Sequence, residues 1–335
     1  MQYIPADRLK EGMITTKPIF GKKALILASN HELTVETINA IQRNGIPGLY
    51  IYDEYTEYEQ LNTILDEDFR YGMVHEMKNF NIDQVIYLTG QIVDKVVGTG
   101  ENLMIDLQEL FTYDEDTFQH SINVSVLATT CGVGLGLGNN ELENLALAGV
   151  LHDLGKRAIP KSILYKEGPL TDDERRAMMQ HPQCGYDMLY DNTNISAYVR
   201  SAILSHHENW DGSGYPKHLS GKDIPPFGMI IHVVDVYDAL IRKRAYKDRF
   251  LQKEAVEYLM ANCGTMFDFD VVSTFLSYLV VCPVGSTVTL SNGKTARVVQ
   301  NRRKALMRPV VVTEDDKTKI DLANDMNYLN VVIEE

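Results

Sequence analysis

The spacing of apolar residues divides the chain into three stretches. Up to about residue 97, short runs such as ITTKPIF and KALILAS predict strands, and ELTVETINAIQRNGI predicts a helix that ends at Gly45. Polar segments with helical spacing after Tyr55 predict a helical linker. Residues 98 to 281 carry apolar residues at i, i+3 and i+4, which is typical of amphipathic helices. From residue 282 the strand pattern returns, with a hairpin predicted over VGSTVTL–SNG–KTARVVQ and further strands over RPVVVTE, KTKIDL and LNVVIEE.

These patterns predict a multidomain α+β protein. We expect residues 1–97 to form a small N-terminal α/β unit with its linker, and residues 98–281 to form an all-α helical core. Residues 282–335 are expected to form a small C-terminal β unit. Within the core, the segments predicted to be helical include ENLMIDLQEL, DTFQHSINVSVLATTCGVGLGL, TDDERRAMMQHPQCGYDML, ISAYVRSAILSHHE and FGMIIHVVDVYDAL. Thr171, followed three residues later by Glu174, has the pattern of a capping box.

Composition and charge exclude several classes of protein. A chain of 335 residues that is 44% hydrophobic and 23% charged is typical of a folded protein with two or three domains. Its formal net charge of −14 argues against binding of a DNA or RNA duplex, which requires a basic surface. No apolar run reaches the roughly 20 residues that cross a bilayer, and the start MQYIPADRLKEGM lacks a signal-peptide pattern. With four scattered cysteines, we expect a cytoplasmic protein with reduced thiols.

Histidines and acidic residues concentrate in the predicted helical core. The candidate ligands are Asp116, His120, His152, Asp153, His181, His206, His207 and Asp235. Imidazole and carboxylate groups together suit iron, manganese or zinc. Taken singly, a histidine on a helix surface or an acid at a helix start is an ordinary structural feature. Asp153 and Asp235 are harder to explain that way, because an ionised carboxylate among apolar residues costs on the order of several kcal/mol unless it is paired or coordinated.

The motifs around these residues resemble those of one known family. HDLGK, residues 152–156, resembles the signature of the HD superfamily of metal-dependent phosphohydrolases. HHENWDGSGYP, residues 206–216, resembles the second signature, which defines the HD-GYP subfamily, and IPKSILYKEGPLTDDE and DVYDALIRKRAYK match as well. The resemblance covers roughly residues 116 to 275. It implies an all-α HD-GYP catalytic core that hydrolyses a cyclic dinucleotide, with cyclic di-GMP first, to a linear dinucleotide or GMP in bacterial second-messenger signalling.

The resemblance also implies a role for each matching residue. The candidate ligands listed above, apart from Asp116, match the family's metal ligands, and Asp153 would bridge two ions. Asp116 stands where some members place a glutamate that helps hold a third ion, so two or three transition-metal ions are implied, iron or manganese. Asp153 and Lys156 would be catalytic. The residues implied to contact the substrate are Gly214, Tyr215, Pro216, Arg244 and Lys247.

Other interpretations stay open. Arg244 and Lys247, in RKRAYKDR, are also compatible with a solvated charged face, and the GSGYP stretch with a tight turn. An HD-GYP fold that binds a cyclic dinucleotide with little turnover is the first alternative function. A different HD-fold nucleotide phosphohydrolase is the second, and the sequence leaves a homodimer open.

Overall fold

The structure is a computed structural model that describes residues 2–16, 19–20, 25–28, 30–43, 46, 48–52, 64–100, 103–106, 117–241 and 252–334. Contacts between Cα atoms group the chain into two compact units. The first contains residues 1–63, 104–114 and 279–335, and the second contains residues 64–103 and 115–278. The division into three consecutive domains stays a prediction. Among the described residues, no helix is long and apolar enough to cross a membrane.

The first unit consists of small sheets and one described helix. Its elements are β1 (Gln2–Pro5), β2 (Ile19–Phe20), β3 (Leu25–Leu27), α1 (Val35–Arg43), β4 (Gly48–Ile51), β5 (Ile105–Asp106), β6 (Leu279–Val280), β7 (Thr287–Thr289), β8 (Thr295–Gln300), β9 (Val310–Thr313) and β10 (Lys319–Asp321). β1 pairs with β4 and β2 with β3, both antiparallel, whereas β5 and β6 pair in parallel. The remaining strands form an antiparallel sheet in the order β10-β9-β8-β7.

The C-terminal sheet follows the alternation of its sequence. Val288, Ala296 and Val298 are buried because they point to the core face of β7 and β8. The predicted hairpin turn lies at Gly293, whose φ of 80° suits a residue without a side chain. The last predicted strand, LNVVIEE, is not a strand of the sheet, since only Ile333 bridges to Leu290.

The second unit is helical, as the apolar spacing predicted. Its helices are α2 (Glu67–Lys78), α3 (Ile82–Gly98), α4 (Thr117–Gly134), α5 (Asn139–Leu151), α6 (Lys161–Leu164), α7 (Asp172–Met178), α8 (His181–Met188), α9 (Ala197–Ser205), α10 (Pro226–Ile241), α11 (Gln252–Ala261) and α12 (Phe269–Leu276). Two short 3-10 helices, Leu154–Ala158 and Gly221–Asp223, connect them. α4 and α10 carry some of the most completely buried residues, including Ile122, Leu127 and Tyr237.

Two predicted helices differ from the structure. ENLMIDLQEL contains β5 rather than a helix at Ile105–Asp106, because these residues pair with β6. The segment TDDERRAMMQHPQCGYDML is divided into α7 and α8. Pro182, which has no amide hydrogen, is tolerated only in the first turn of a helix, so a new helix begins at His181. The capping box at the start of α7 is confirmed, since the Thr171 and Glu174 side chains each accept from the other's backbone N–H.

Candidate metal centre

The predicted ligands within the described residues lie at the ends or on the inner faces of five helices. His120 lies in the first turns of α4, and His152 and Asp153 directly follow α5. His181 is the first residue of α8, and the chain reaches His206 and His207 as α9 ends. Asp235 lies in the middle of α10. Helix packing therefore brings together side chains that are far apart in sequence.

Two glycines allow the close approaches that form the site. A Cβ atom at Gly155 would lie 1.9 Å from the carbonyl oxygen of His181, so α8 packs directly on the backbone of the HDLGK segment. A Cβ atom at Gly214 would lie 2.4 Å from the carbonyl oxygen of His207, so the GYP segment folds back onto the paired histidines. Neither position can carry a side chain without moving a neighbouring backbone.

The buried histidines of the cluster share one orientation. The Nδ1 atoms of His152, His181 and His206 lie 2.8, 2.9 and 2.7 Å from the carbonyl oxygens of Gly149, Met178 and Ile203, each three residues earlier. Because a carbonyl only accepts, each Nδ1 carries the proton and donates it. In a neutral ring Nε2 is then an unprotonated acceptor. All three rings therefore present an Nε2 lone pair to the cluster, as is usual for histidine ligands.

These side chains form two groups that could each hold a metal ion. His120, His152 and Asp153 form the His120 group, and His181, His206 and His207 form the His181 group. Asp153 of the His120 group also reaches the other group, since its Oδ2 lies 3.4 Å from His152 Nε2 and its Oδ1 lies 3.4 Å from His181 Nε2. One buried carboxylate therefore faces both groups, which is the arrangement expected of a bridging ligand.

His120 is held by two carboxylates of α10. Its Nδ1 lies 2.6 Å from Oδ2 of Asp238, and its Nε2 lies 3.0 Å from Oδ1 of Asp235. Burial disfavours a charge on His120, but the hydrogen bonds to the two carboxylates outweigh burial and raise its pKa to about 9. A metal ion at Nε2 would replace a proton there, while Nδ1 kept its bond to Asp238.

The remaining charges of the site are set by burial and by their neighbours. Burial opposes ionisation of Asp153, but Lys156, with Nζ 2.5 Å from Oδ2, and the nearby histidines hold the pKa of the carboxyl well below its usual value. Burial lowers the pKa of His206 far below its usual value and that of His207 to about 3. His206 and His207 are therefore neutral imidazoles beside the ionised Asp153, which are the protonation states that ligands require.

The donor set fits a metal ion. Among the described residues, Nε2 of His152 is buried without a hydrogen-bond partner, although burying an unsatisfied polar atom is costly. Nε2 of His181 and Nε2 of His206 lie 3.3 Å apart, and with both protons on Nδ1 their lone pairs face each other. A bound cation would give His152 Nε2 a partner and would remove the repulsion between the lone pairs of His181 and His206. Mixed imidazole and carboxylate donors suit iron, manganese or zinc.

The GYP segment lies beside the cluster. The Tyr215 ring stacks on the His207 ring with centroids 4.8 Å apart and an interplanar angle of 23°. Burial and the nearby carboxylates raise the pKa of Tyr215, so its phenol stays protonated and can donate. The buried Glu208 accepts from the backbone N–H groups of Lys217 and Leu219, which fixes the loop that carries Gly214, Tyr215 and Pro216.

Three predicted site residues, Asp116, Arg244 and Lys247, lie outside the described residues. Conversely, the sequence motifs pointed neither to Asp238, which contacts His120, nor to Asn123, which donates to Asp238. Asp238 carried the same signal as Asp235, an acidic residue inside the apolar run MIIHVVDVYDAL. Asn123, three residues after His120, is unremarkable in the sequence.

Comparison with known proteins gives one family and several relatives. The HD domain family model matches residues 102–271. The cyclic di-GMP phosphodiesterase PA4108 of Pseudomonas aeruginosa is 38% identical over 63% of this chain and 50% of its own length. The 3'3'-cGAMP-specific phosphodiesterase 2 of Vibrio cholerae is 31% identical over 68% of this chain and 45% of its own length. The chain thus spans half or less of these curated relatives.

A solved structure supports the fold. Bd1817, an HDG"Y"P protein from Bdellovibrio bacteriovorus, superimposes with a TM-score of 0.52 over 82% of this chain and 97% of its own. At 17% sequence identity, this likeness concerns the fold alone.

Proposed function

The chain belongs to the HD domain family, in the HD-GYP branch that its motifs indicate, and from this we propose that it is a metal-dependent phosphodiesterase acting on a cyclic dinucleotide. The observation that carries the proposal is the position of Asp153. Its buried carboxylate faces the His120 group with one oxygen and the His181 group with the other. Two ion sites joined by one carboxylate suit the hydrolysis of a phosphodiester.

We assign cyclic di-GMP as the first substrate to test. The relative PA4108 is named a cyclic di-GMP phosphodiesterase, and a second relative is named for 3'3'-cGAMP. Both ligands share a ring closed by two phosphodiesters, which is the part that a metal centre would contact. The products would be a linear dinucleotide, GMP, or both in succession.

Each residue near the centre has a distinct proposed role. Metal ions bound by the two groups would supply an activated water and neutralise charge on the phosphate. Lys156, whose side chain is 29% exposed and reaches Asp153, would place a positive charge beside the reacting phosphate. Tyr215, protonated and stacked on His207, would offer a hydroxyl donor to the ligand. The GYP loop would close one side of the site.

Iron or manganese is the proposed metal. A site with both imidazole nitrogen and carboxylate oxygen donors is intermediate in softness. Thiolate sites prefer softer metals, and all-oxygen sites prefer harder ones such as magnesium and calcium. Asp116 would help to hold a third ion, so the proposed stoichiometry is two or three per chain.

The proposal is tested on the full chain, reconstituted separately with Fe²⁺ and Mn²⁺ and given cyclic di-GMP or 3'3'-cGAMP. We expect at least two ions per chain and hydrolysis of cyclic di-GMP that stops with a chelator and returns with metal. Asp153→Ala should lose bound metal and turnover together, because both groups lose their shared carboxylate. Binding without hydrolysis by the metal-loaded chain would favour the sensor alternative, and hydrolysis of another nucleotide alone would favour a different HD-fold phosphohydrolase.

Substrate contacts are tested separately from the metals. Arg244→Ala and Lys247→Ala should each remove a charge-assisted contact to phosphate and weaken binding by roughly ten- to a hundredfold. Their metal content should stay at the wild-type value. The control is Lys222→Ala, which removes an exposed cation from the 3-10 helix Gly221–Asp223. If the Arg244 and Lys247 variants bind cyclic di-GMP as the control does, the two residues form a solvated face.

A further inference from the structure

A chain of buried polar side chains leads from α2 to the ligand His120. Arg70 of α2 is 3% exposed, and its guanidinium donates to Oδ1 of Asn123 at 3.0 Å and to Oε1 of Gln119 at 3.5 Å. Asn123 donates from Nδ2 to Oδ1 of Asp238 at 3.2 Å. The other oxygen of Asp238 lies 2.6 Å from Nδ1 of His120.

The two middle members of this chain are fully enclosed. Asn123 is 1% exposed and Asp238 is 0% exposed. A buried carboxylate is costly unless its oxygens are hydrogen-bonded and its charge is offset. Here one oxygen of Asp238 accepts from Asn123 and the other from His120. The cation of Arg70 is bound to the other end of the Asn123 amide. The network therefore fixes both the rotamer of Asp238 and the plane of the His120 ring.

The cationic residue of this network, Arg70, lies outside the segment that matches the family. The HD domain model begins at residue 102, whereas Arg70 belongs to α2. The same helical hairpin, α2 and α3, touches the site elements at two further points. Lys78 lies 5.4 Å from the ring centroid of Phe118, two residues before His120. Arg157, next to Lys156, lies 5.3 Å from the ring centroid of Phe80.

We propose that Arg70 is a positioning residue for the metal ligand His120 and acts on it through Asn123 and Asp238. The inference rests on the proposed metal site and deepens it, since it assigns to α2 a role in one of the two groups. Arg70 fixes Asn123, Asn123 orients the Asp238 carboxylate, and Asp238 holds the His120 ring with Nε2 turned toward Asp153. The His181 group has no member in this network, because its described Nδ1 bonds run to backbone carbonyls of Met178 and Ile203.

The test measures metal affinity group by group, without substrate. Co²⁺ alone is titrated into the metal-free full chain, and its visible absorption reports both affinity and ligand geometry. His120→Ala identifies the equivalent that belongs to the His120 group. Asp238→Asn should weaken that equivalent by about 10- to 100-fold, the usual cost of losing a carboxylate behind a histidine ligand. Arg70 lies further from His120 along the network than Asp238 does. Arg70→Met should therefore weaken Co²⁺ binding by the His120 group less, by about 3- to 10-fold.

Two controls separate positioning from folding. Arg70→Lys keeps the cation and one donor, so it should recover part of the lost affinity. Lys95→Met removes a cation from α3 of the same hairpin, where it pairs with Asp66, and should leave both Co²⁺ equivalents unchanged. The variants are also compared by thermal unfolding without metal, where a similar midpoint shows that the fold is retained.

The inference is overturned if folded Asp238→Asn and Arg70→Met chains take up both equivalents with wild-type affinity and spectrum. It is also overturned if the two equivalents weaken equally, since that result marks a structural role only. Selective loss of the His120 group supports it. A wild-type chain that takes up two Co²⁺ but cleaves no cyclic dinucleotide contradicts the proposed function while leaving this result valid. Absence of Co²⁺ uptake would overturn both.

Discussion

At the scale of single residues, the site depends on the group that hydrogen-bonds Nδ1 of each imidazole and so orients the ring. His152, His181 and His206 use Nδ1 to bind a carbonyl three residues earlier, so their own helix ends orient them. His120 uses Nδ1 to bind the side chain of Asp238 on another helix. The first arrangement is local and survives small movements of helices. The second requires α4 and α10 to keep their relative position.

Burial of neutral histidines also makes the metal-free chain sensitive to acid. Burial lowers the pKa of His232 to about 4, although Asp235 favours its charge. The unfolded chain takes up this proton below its ordinary pKa of about 6.5, whereas the folded chain resists until about pH 4. The contribution to stability is therefore fully present above pH 6.5 and is lost as pH falls toward 4. Between pH 7 and pH 5 the loss from this residue is about 2 kcal/mol.

His232→Phe should remove that loss. We expect the metal-free variant to lose about 2 kcal/mol less stability than wild type between pH 7 and pH 5, measured by urea unfolding. Unfolding is followed by the fluorescence of Trp210, the only tryptophan of the chain. The control is His75→Gln, which replaces an exposed histidine of α2. An equal loss in wild type and His232→Phe would mean that His232 is protonated in the folded chain.

At the scale of elements, the sequence predicted helices well where their apolar spacing was uninterrupted. α4 and α9 lie within predicted segments and α10 exceeds its segment by one residue at each end, because a buried helix face leaves a repeat of three to four residues. The break between α7 and α8 was missed, although Pro182 signals it. β5 was predicted as helix because its pairing with β6 depends on a strand that lies far along the chain. Local periodicity contains no information about such a partner.

The contact between α8 and the HDLGK segment gives a prediction at this scale. Gly155→Ala would place a Cβ atom 1.9 Å from the carbonyl oxygen of His181, and backbone cannot yield as a side-chain end can. We expect a loss of about 1–3 kcal/mol in stability, with weaker metal binding by the His181 group because His181 begins α8. Chemical unfolding and Co²⁺ titration measure the two effects.

Gly72→Ala is the matched control for this substitution. A Cβ atom at Gly72, within α2, would meet nothing within 4 Å. Alanine is the better helix former, so this variant should gain about 0.5–1 kcal/mol and bind metal as wild type does. If Gly155→Ala behaves like Gly72→Ala, the close packing of α8 on the HDLGK segment is absent in solution.

At the scale of the whole molecule, the candidate ligands were predictable as a set and their geometry was not. The motifs HDLGK and HHENWDGSGYP identify residue types through a resemblance, so they name His152 and His206 without placing them. The network of Arg70, Asn123 and Asp238 has no such motif, because hydrogen bonds between distant helices leave no fixed spacing. The two compact units likewise join segments that are separated in sequence. Both features depend on tertiary packing.

Every described candidate ligand lies in the second unit, which leads to a last prediction. A ligand that binds only the folded state raises the free energy of unfolding by RT ln(1 + [L]/Kd), about 2.7 kcal/mol at a hundredfold excess over Kd. The described candidate ligands and Trp210 belong to residues 115–278, whereas β7 to β10 lie in the other unit. Metal should therefore raise the melting temperature reported by Trp210 fluorescence.

In calorimetry, the transition that coincides with the fluorescence change should move to higher temperature with metal, and a transition of the β-rich unit should stay at the same temperature. Asp153→Ala should abolish the metal-dependent shift. A fluorescence transition at the same temperature with excess Mn²⁺ and with chelator would contradict a metal site in the second unit, whether or not the chain hydrolyses a cyclic dinucleotide.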